Sequence, residues 1–222
     1  MQTFDARPLF RPADAGLRFL PEGPYAYESG KFSWVGIQHG ASAVTGSLNL
    51  FDVSLGLNDR FDLPGRPGFA IPAADGRSWV IGLEHSVRLF DTQSGGWTDV
   101  CGPVESGVEG TIINDGAVFD EGLIFGCKEL RFTDPKAGLY FWRAADRRLF
   151  RLRNDQICSN GKKVVRREGQ LTLLDIDSPT KTLVAYPLDV AGGALGAPQI
   201  VVDLRSGDSF PDGMVLAPDE RS

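Results

Sequence analysis

At 222 residues and 42% hydrophobic content, the chain can form one large all-β domain or two small ones around a real core. Its 23 Lys and Arg against 29 Asp and Glu leave a net charge of −6, which excludes nucleic-acid binding through clustered basic residues. No apolar run approaches the roughly 18 residues of a membrane span.

The chain starts Met1-Gln2-Thr3-Phe4-Asp5-Ala6-Arg7-Pro8. No basic start leads into an apolar stretch, so this is not a signal peptide. The three cysteines, Cys101, Cys127 and Cys158, form no C-x-x-C pair. They fit a reducing compartment, buried packing and no structural zinc. A cytoplasmic protein is expected.

Glycine (27) and proline (14) are spread along the whole length, the punctuation of many short strands. No segment holds an amphipathic helical period for three turns. Strands are predicted at 32–37, 79–83, 123–127, 138–142, 171–176, 183–186 and 199–204. They recur in pairs: 34–37 with 48–52, 79–82 with 87–91, 123–126 with 138–142, and 171–175 with 183–189. The second member usually ends in an aromatic residue and an aspartate, as in Phe51-Asp52 and Phe90-Asp91. Two basic runs, Arg147-Arg148 with Arg151 and Arg153, and Lys162-Lys163 with Arg166-Arg167, sit beside turn signals and read as solvated hairpin faces.

A short polar or glycine motif precedes each pair. The motifs are Glu22-Gly23-Pro24, Gly68-Phe69, Asn114-Asp115-Gly116, Ser159-Asn160-Gly161 and Pro211-Asp212-Gly213. Positions 22, 68, 114, 160 and 212 lie 46, 46, 46 and 52 residues apart. A strand-filled period of this length predicts a β-propeller; a sandwich gives no reason for the recurrence. Each blade contributes its innermost strand to a central channel, so Glu22, Asn114, Asn160 and Asp212 would face one another. Two carboxylates and two amides suit a hard cation such as Ca²⁺ better than Zn²⁺, which prefers His and Cys. Asn-Gly and Asp-Gly are also common turn residues, because they tolerate positive φ. Spacing alone leaves a site and a set of turns both open.

From about residue 18 onward, the ordered set of motifs resembles the gluconolactonase, regucalcin and luciferin-regenerating-enzyme family. The set runs Glu22-Gly23-Pro24, Trp34-Val35-Gly36-Ile37, Asn114-Asp115-Gly116, Leu123-Ile124-Phe125-Gly126-Cys127, Gly138-Leu139-Tyr140, Ser159-Asn160-Gly161, Asp177-Ser178-Pro179-Thr180 and Pro211-Asp212-Gly213-Met214. The resemblance implies a six-bladed propeller with one divalent metal on its axis: Ca²⁺ first, with Zn²⁺, Mg²⁺ or Mn²⁺ as alternatives. By motif match the metal ligands are Glu22, Asn160 and Asp212, and Asn114 touches metal-bound water or substrate. Ile112 stands where the family often has a substrate-binding arginine. His39, His85 and Lys128 match no family role and are expected to be structural or surface residues.

The resemblance implies metal-assisted hydrolysis of a sugar lactone, with Asp212 as general base. The alternative is a non-catalytic propeller that holds calcium or a sugar acid. No nucleic acid, membrane or obligate protein partner is expected. Asp212 lies only 10 residues from the last residue, whereas each earlier repeat needs 46 or more. The expectation is therefore one propeller domain over 1–222, with about four of six blades present. Residues 1–21 would supply a strand of the closing blade, and 217–222 the turn before a missing strand. Such a chain would be poorly soluble or oligomeric, and weakly active.

Overall fold

The computed structural model describes residues 5, 7–167 and 169–217. The remaining positions, which include most of the N-terminal start and of the expected C-terminal turn, lie outside the described residues.

Val, Ile, Phe and Trp alternate in short runs cut by glycine and Asp-led turns, and the chain folds accordingly into antiparallel hairpins. The first sheet holds β1 (Pro21–Glu28), β2 (Lys31–Gly36), β3 (Ser47–Asp52) and β4 (Leu57–Asp62) in chain order. The second holds β5 (Pro67–Pro72), β6 (Ser78–Leu83), β7 (Ser86–Asp91) and β8 (Trp97–Cys101). The third holds β9 (Thr111–Phe119), β10 (Gly122–Glu129), β11 (Ala137–Arg143) and β12 (Arg148–Gln156). The fourth runs β13 (Ser159–Arg167), β14 (Gln170–Asp177) and β15 (Thr182–Asp189), whose outer edge is shared by β16 (Ala194–Leu195) and β17 (Gln199–Asp203). These are four consecutive blades of a β-propeller, and every predicted strand falls in one of them.

The recurring aromatic-Asp ending has a local cause. Asp52 Oδ1 accepts from Ser54 N (2.8 Å), Ser54 Oγ (2.6 Å) and Leu55 N (3.0 Å). Asp91 Oδ1 accepts from Gln93 N (2.9 Å) and Ser94 N (3.0 Å). Each aspartate closes the turn from the third to the fourth strand of its blade as an Asx-turn.

Three apolar layers lie between successive blades. Val35, Leu48, Trp79, Ile81 and Phe90 join the first to the second. Phe69, Val87, Ile113, Phe125 and Tyr140 join the second to the third. Ile124, Leu139, Phe141, Leu173 and Tyr186 join the third to the fourth. The middle strands of the second and third blades are thus covered on both faces; all of β10 is buried, and burial of a side chain such as Phe125 contributes about 1.5–3 kcal/mol. The fourth strands are mostly polar and exposed, although β17 also exposes Ile200, Val201 and Val202.

The N-terminal segment departs from the closing-blade expectation. Among the described residues before Pro21 there is no strand, only a 3₁₀ turn at Gly16–Arg18. Phe10 instead stacks on Phe51 at 4.3 Å, and Leu17 packs with Trp34, so these apolar residues cover the flank of the first blade. Among the described residues no helix is long and apolar enough to cross a membrane.

The fully buried Phe69 ring fills the gap between two blades because two glycines admit it. A Cβ on Gly82 or on Gly116 would lie 2.5 or 2.6 Å from that ring. Gly116→Ala should therefore cost about 1–3 kcal/mol by overpacking. In denaturant titrations, adding Phe69→Leu to Gly116→Ala should cost less than Phe69→Leu alone, giving a measurable coupling energy.

Candidate active site at the propeller axis

Each inner strand carries its motif at a break in register. In β1, Glu22 pairs with Val35 and Tyr25 with Ser33, so Gly23 and Pro24 share one partner. In β5, Gly68 is the extra residue between Pro67 and Phe69. In β9, Asp115 pairs with Gly126 and Ile113 with Cys127, leaving Asn114 as the extra residue. In β13, Asn160 pairs with Ile176 and Lys163 with Leu174, so Gly161 and Lys162 share one partner. The motifs are β-bulges, not turns. A bulge re-aims a side chain and frees backbone from the ladder.

Pro211-Asp212-Gly213 lies in no strand. Pro211 O accepts from Ser178 Oγ at 2.6 Å, and a Cβ on Gly161 would lie 2.6 Å from Asp212 O. Position 161 thus demands glycine both for this close approach and for its φ of +41°. Tyr25 Oη donates to Gly116 O at 3.2 Å, tying the first blade to the third beside the same bulges.

These placements bring Glu22, Asn114, Asn160 and Asp212 together. All four line two adjoining cavities of about 110 and about 710 Å³. The smaller adds Gly23, Asp115 and Gly213 among its walls. The larger adds Lys128, Cys158, Ser178, Phe132 and Phe210.

A polar network holds the floor. Asn114 Nδ2 donates to Asn160 Oδ1 (2.7 Å) and Ser159 O (2.9 Å). Asn160 Nδ2 donates to Ser178 Oγ (2.8 Å). Asp177 accepts from Cys158 N at 2.8 Å, fixing the turn that presents Ser178. Lys162 Nζ donates to Asn160 O (3.2 Å) and pairs with the buried Asp175 (3.4 Å). Asp175 also accepts from Gln156 Nε2 at 2.6 Å. Lys162 therefore does not lie on a solvated hairpin face: it belongs to an inner strand, and its side chain is fully buried.

The charges are unevenly compensated. Loss of water raises the Glu22 pKa; the nearby Asp212 and Asp115 charges add to this and Lys128 opposes it. Loss of water also raises Asp115, against the pull of Lys162. Burial lowers Lys128, against Glu22 and Asp212. Burial pushes the Cys158 thiol up to about 11, which keeps it protonated and unreactive at neutral pH.

Sequence reasoning missed Lys128 and Asp115 as cavity residues. Lys128 is not a surface residue; it lies in the fully buried β10, directly opposite the buried Ile112 in the ladder. The available signal was a lysine directly following the apolar run 123–127. The histidines lie elsewhere: His39 Nε2 meets Ser47 Oγ at 2.9 Å, and His85 Nε2 meets Thr111 O at 2.6 Å. Among the described residues, no group of three or more His, Cys, Asp and Glu side chains is placed to hold a metal ion. The converging set instead combines carboxylates with amides.

Residues 20–221 match a family model described as the SMP-30/Gluconolactonase/LRE-like region. A luciferin-regenerating enzyme superposes with a TM-score of 0.74 at 18% identity, covering 90% of this chain and 66% of that one. A calcium-binding protein, regucalcin from Agrobacterium tumefaciens strain C58, superposes with a TM-score of 0.72 at 22% identity, covering 89% and 64%. At these identities the likeness shows the fold, and the chain spans about two thirds of either protein. No curated protein matches the sequence.

Two outcomes test this geometry. Lys162→Met strands the buried Asp175 carboxylate and should cost about 3–5 kcal/mol in urea unfolding at neutral pH; adding Asp175→Leu should recover most of the loss. Glu22 has its folded pKa raised above the unfolded value of about 4.3. Its contribution to stability is therefore fully present below that unfolded value and is lost as pH rises through the folded one. In EDTA, Glu22→Gln should melt above wild type at neutral pH, and this gain should vanish in acid on the order of pH 3.5.

Proposed function

The chain belongs to the SMP-30/Gluconolactonase/LRE-like family, and on that premise we propose that it is a metal-dependent hydrolase that opens a sugar lactone. The observation that carries this reading is the convergence of Glu22, Asn114, Asn160 and Asp212, from distant parts of the chain, on two adjoining cavities. The donor chemistry fits a hard divalent cation. Carboxylate and amide oxygens suit Ca²⁺ first, with Mg²⁺, Mn²⁺ or Zn²⁺ as less suited alternatives. Glu22, Asp115 and Asp212 also crowd negative charge around about 110 Å³, which a cation would relieve. Glu22, Asn160 and Asp212 would hold it. Asn160 Oδ1 accepts one hydrogen bond from Asn114 and keeps a second lone pair. The resemblance to a calcium-binding regucalcin supports the same choice. When bound, the cation polarises the lactone carbonyl and lowers the pKa of water.

The chain's own groups do the rest. Asp212 accepts the proton of the attacking water at its carboxylate. Asn114 is held by its two donated bonds, which leaves its Oδ1 to accept from a substrate hydroxyl. Phe132 and Phe210 give the larger cavity an apolar wall against which a sugar ring can pack. Calcium acidifies water weakly, so a reactive ester such as a lactone suits this site better than an amide.

Hydrolysis of a panel of sugar lactones with and without EDTA tests the reading, with turnover expected only where the metal is retained. Asp212→Ala should lower kcat by at least about 10²-fold, and Glu22→Gln should weaken Ca²⁺ binding in calorimetry. Wild-type turnover in Asp212→Ala, or turnover indifferent to EDTA, overturns it. Calcium binding with no turnover of any lactone leaves the non-catalytic binding module instead.

A further inference from the structure

The larger cavity contains a buried cation without a partner. Lys128 is 7% exposed. Among the described residues its ammonium has no hydrogen-bond acceptor and no carboxylate within ion-pairing distance, yet it lines the cavity of about 710 Å³. Lys162, equally buried on the neighbouring inner strand, is paired with Asp175 and bonded to Asn160 O. Burying most of an ammonium without a counter-charge is costly, and an anion arriving in the cavity reduces that cost.

Position decides which part of a ligand it would meet. Lys128 lines the larger cavity but not the smaller one, where Asp115, Gly23 and Gly213 join the four shared residues. It pairs through its backbone with Cys158 at the edge of the floor network and lines the larger cavity, whose walls also include Leu130, Phe132 and Phe210. The titratable groups in electrostatic range are the Cys158 thiol, Glu22, Asp212 and the repelling Arg66; the thiol is protonated at neutral pH, and the two carboxylates are those assigned above to the metal. A neutral sugar ring would leave the ammonium without a counter-charge.

We propose that Lys128 binds an anionic substituent of the ligand, a carboxylate or a phosphate, so that the natural substrate is an acidic lactone. This rests on the lactonase reading for the word lactone, but the anion site itself does not.

The test uses pyranose rings that cannot be hydrolysed: D-glucose, D-glucuronate and D-glucose 6-phosphate, titrated into the intact chain by calorimetry. At least one anionic sugar should bind about tenfold or more tighter than glucose, the scale of a hydrogen bond to a charged group. Comparison of the two anions separates carboxylate from phosphate. Lys128→Met should abolish the preference and leave glucose binding unchanged, whereas Lys128→Arg should retain it. The proposal is overturned if wild type binds neither anion better than glucose, if Lys128→Met keeps the preference, or if it weakens all three sugars alike. An intact preference without turnover on any lactone removes the hydrolase and keeps the anion site. Turnover of neutral lactones without any preference does the reverse.

Discussion

The apolar layers between successive sheets constrain everything at the axis. Side chains from the inner and middle strands of each blade interlock with those of the next, as where the Phe69 ring of the second blade sits against Gly116 of the third. Packing at this density leaves little freedom to tilt a blade. The inner strands are therefore held side by side, and Glu22, Asn114 and Asn160 on them line the channel.

Within that frame, one irregularity repeated in four blades makes the site. A bulge interrupts pairing at the same place in β1, β5, β9 and β13. In three of them a side chain that can bond sits at or immediately before the break, Asn114 in the bulge itself and Glu22 and Asn160 just ahead of it; in β5 the extra residue is Gly68, where a Cβ would lie 2.4 Å from Asn114 O. The second blade thus supplies space where its neighbours supply oxygens. Ser178 then joins the parts, accepting from Asn160 and donating to Pro211 O, which positions Asp212 beside the bulges.

Two buried lysines show how differently the same residue type can be used. Lys162 has a carboxylate and a carbonyl as partners, so its charge is consumed in holding the floor. Lys128 has neither among the described residues and faces open volume. The first charge supports the site, and the second is available to a ligand.

Much of this was legible in the sequence. The regular spacing of the motifs, the paired apolar runs and the aromatic-Asp endings depend on contacts within one hairpin or one blade, and such local preferences are written in neighbouring residues. The same spacing put Glu22, Asn114, Asn160 and Asp212 at one phase of the repeat, which is why their convergence could be anticipated. Whether these motifs were turns or bulges was not legible, because glycine with Asn or Asp serves both conformations. Nor was the difference between Lys128 and Lys162: a charged residue in a strand can face solvent, a partner or a cavity, and only the neighbouring blade determines which. The docking of Phe10 on Phe51 was likewise decided by tertiary structure, since an apolar segment buries itself against whichever apolar face is in reach.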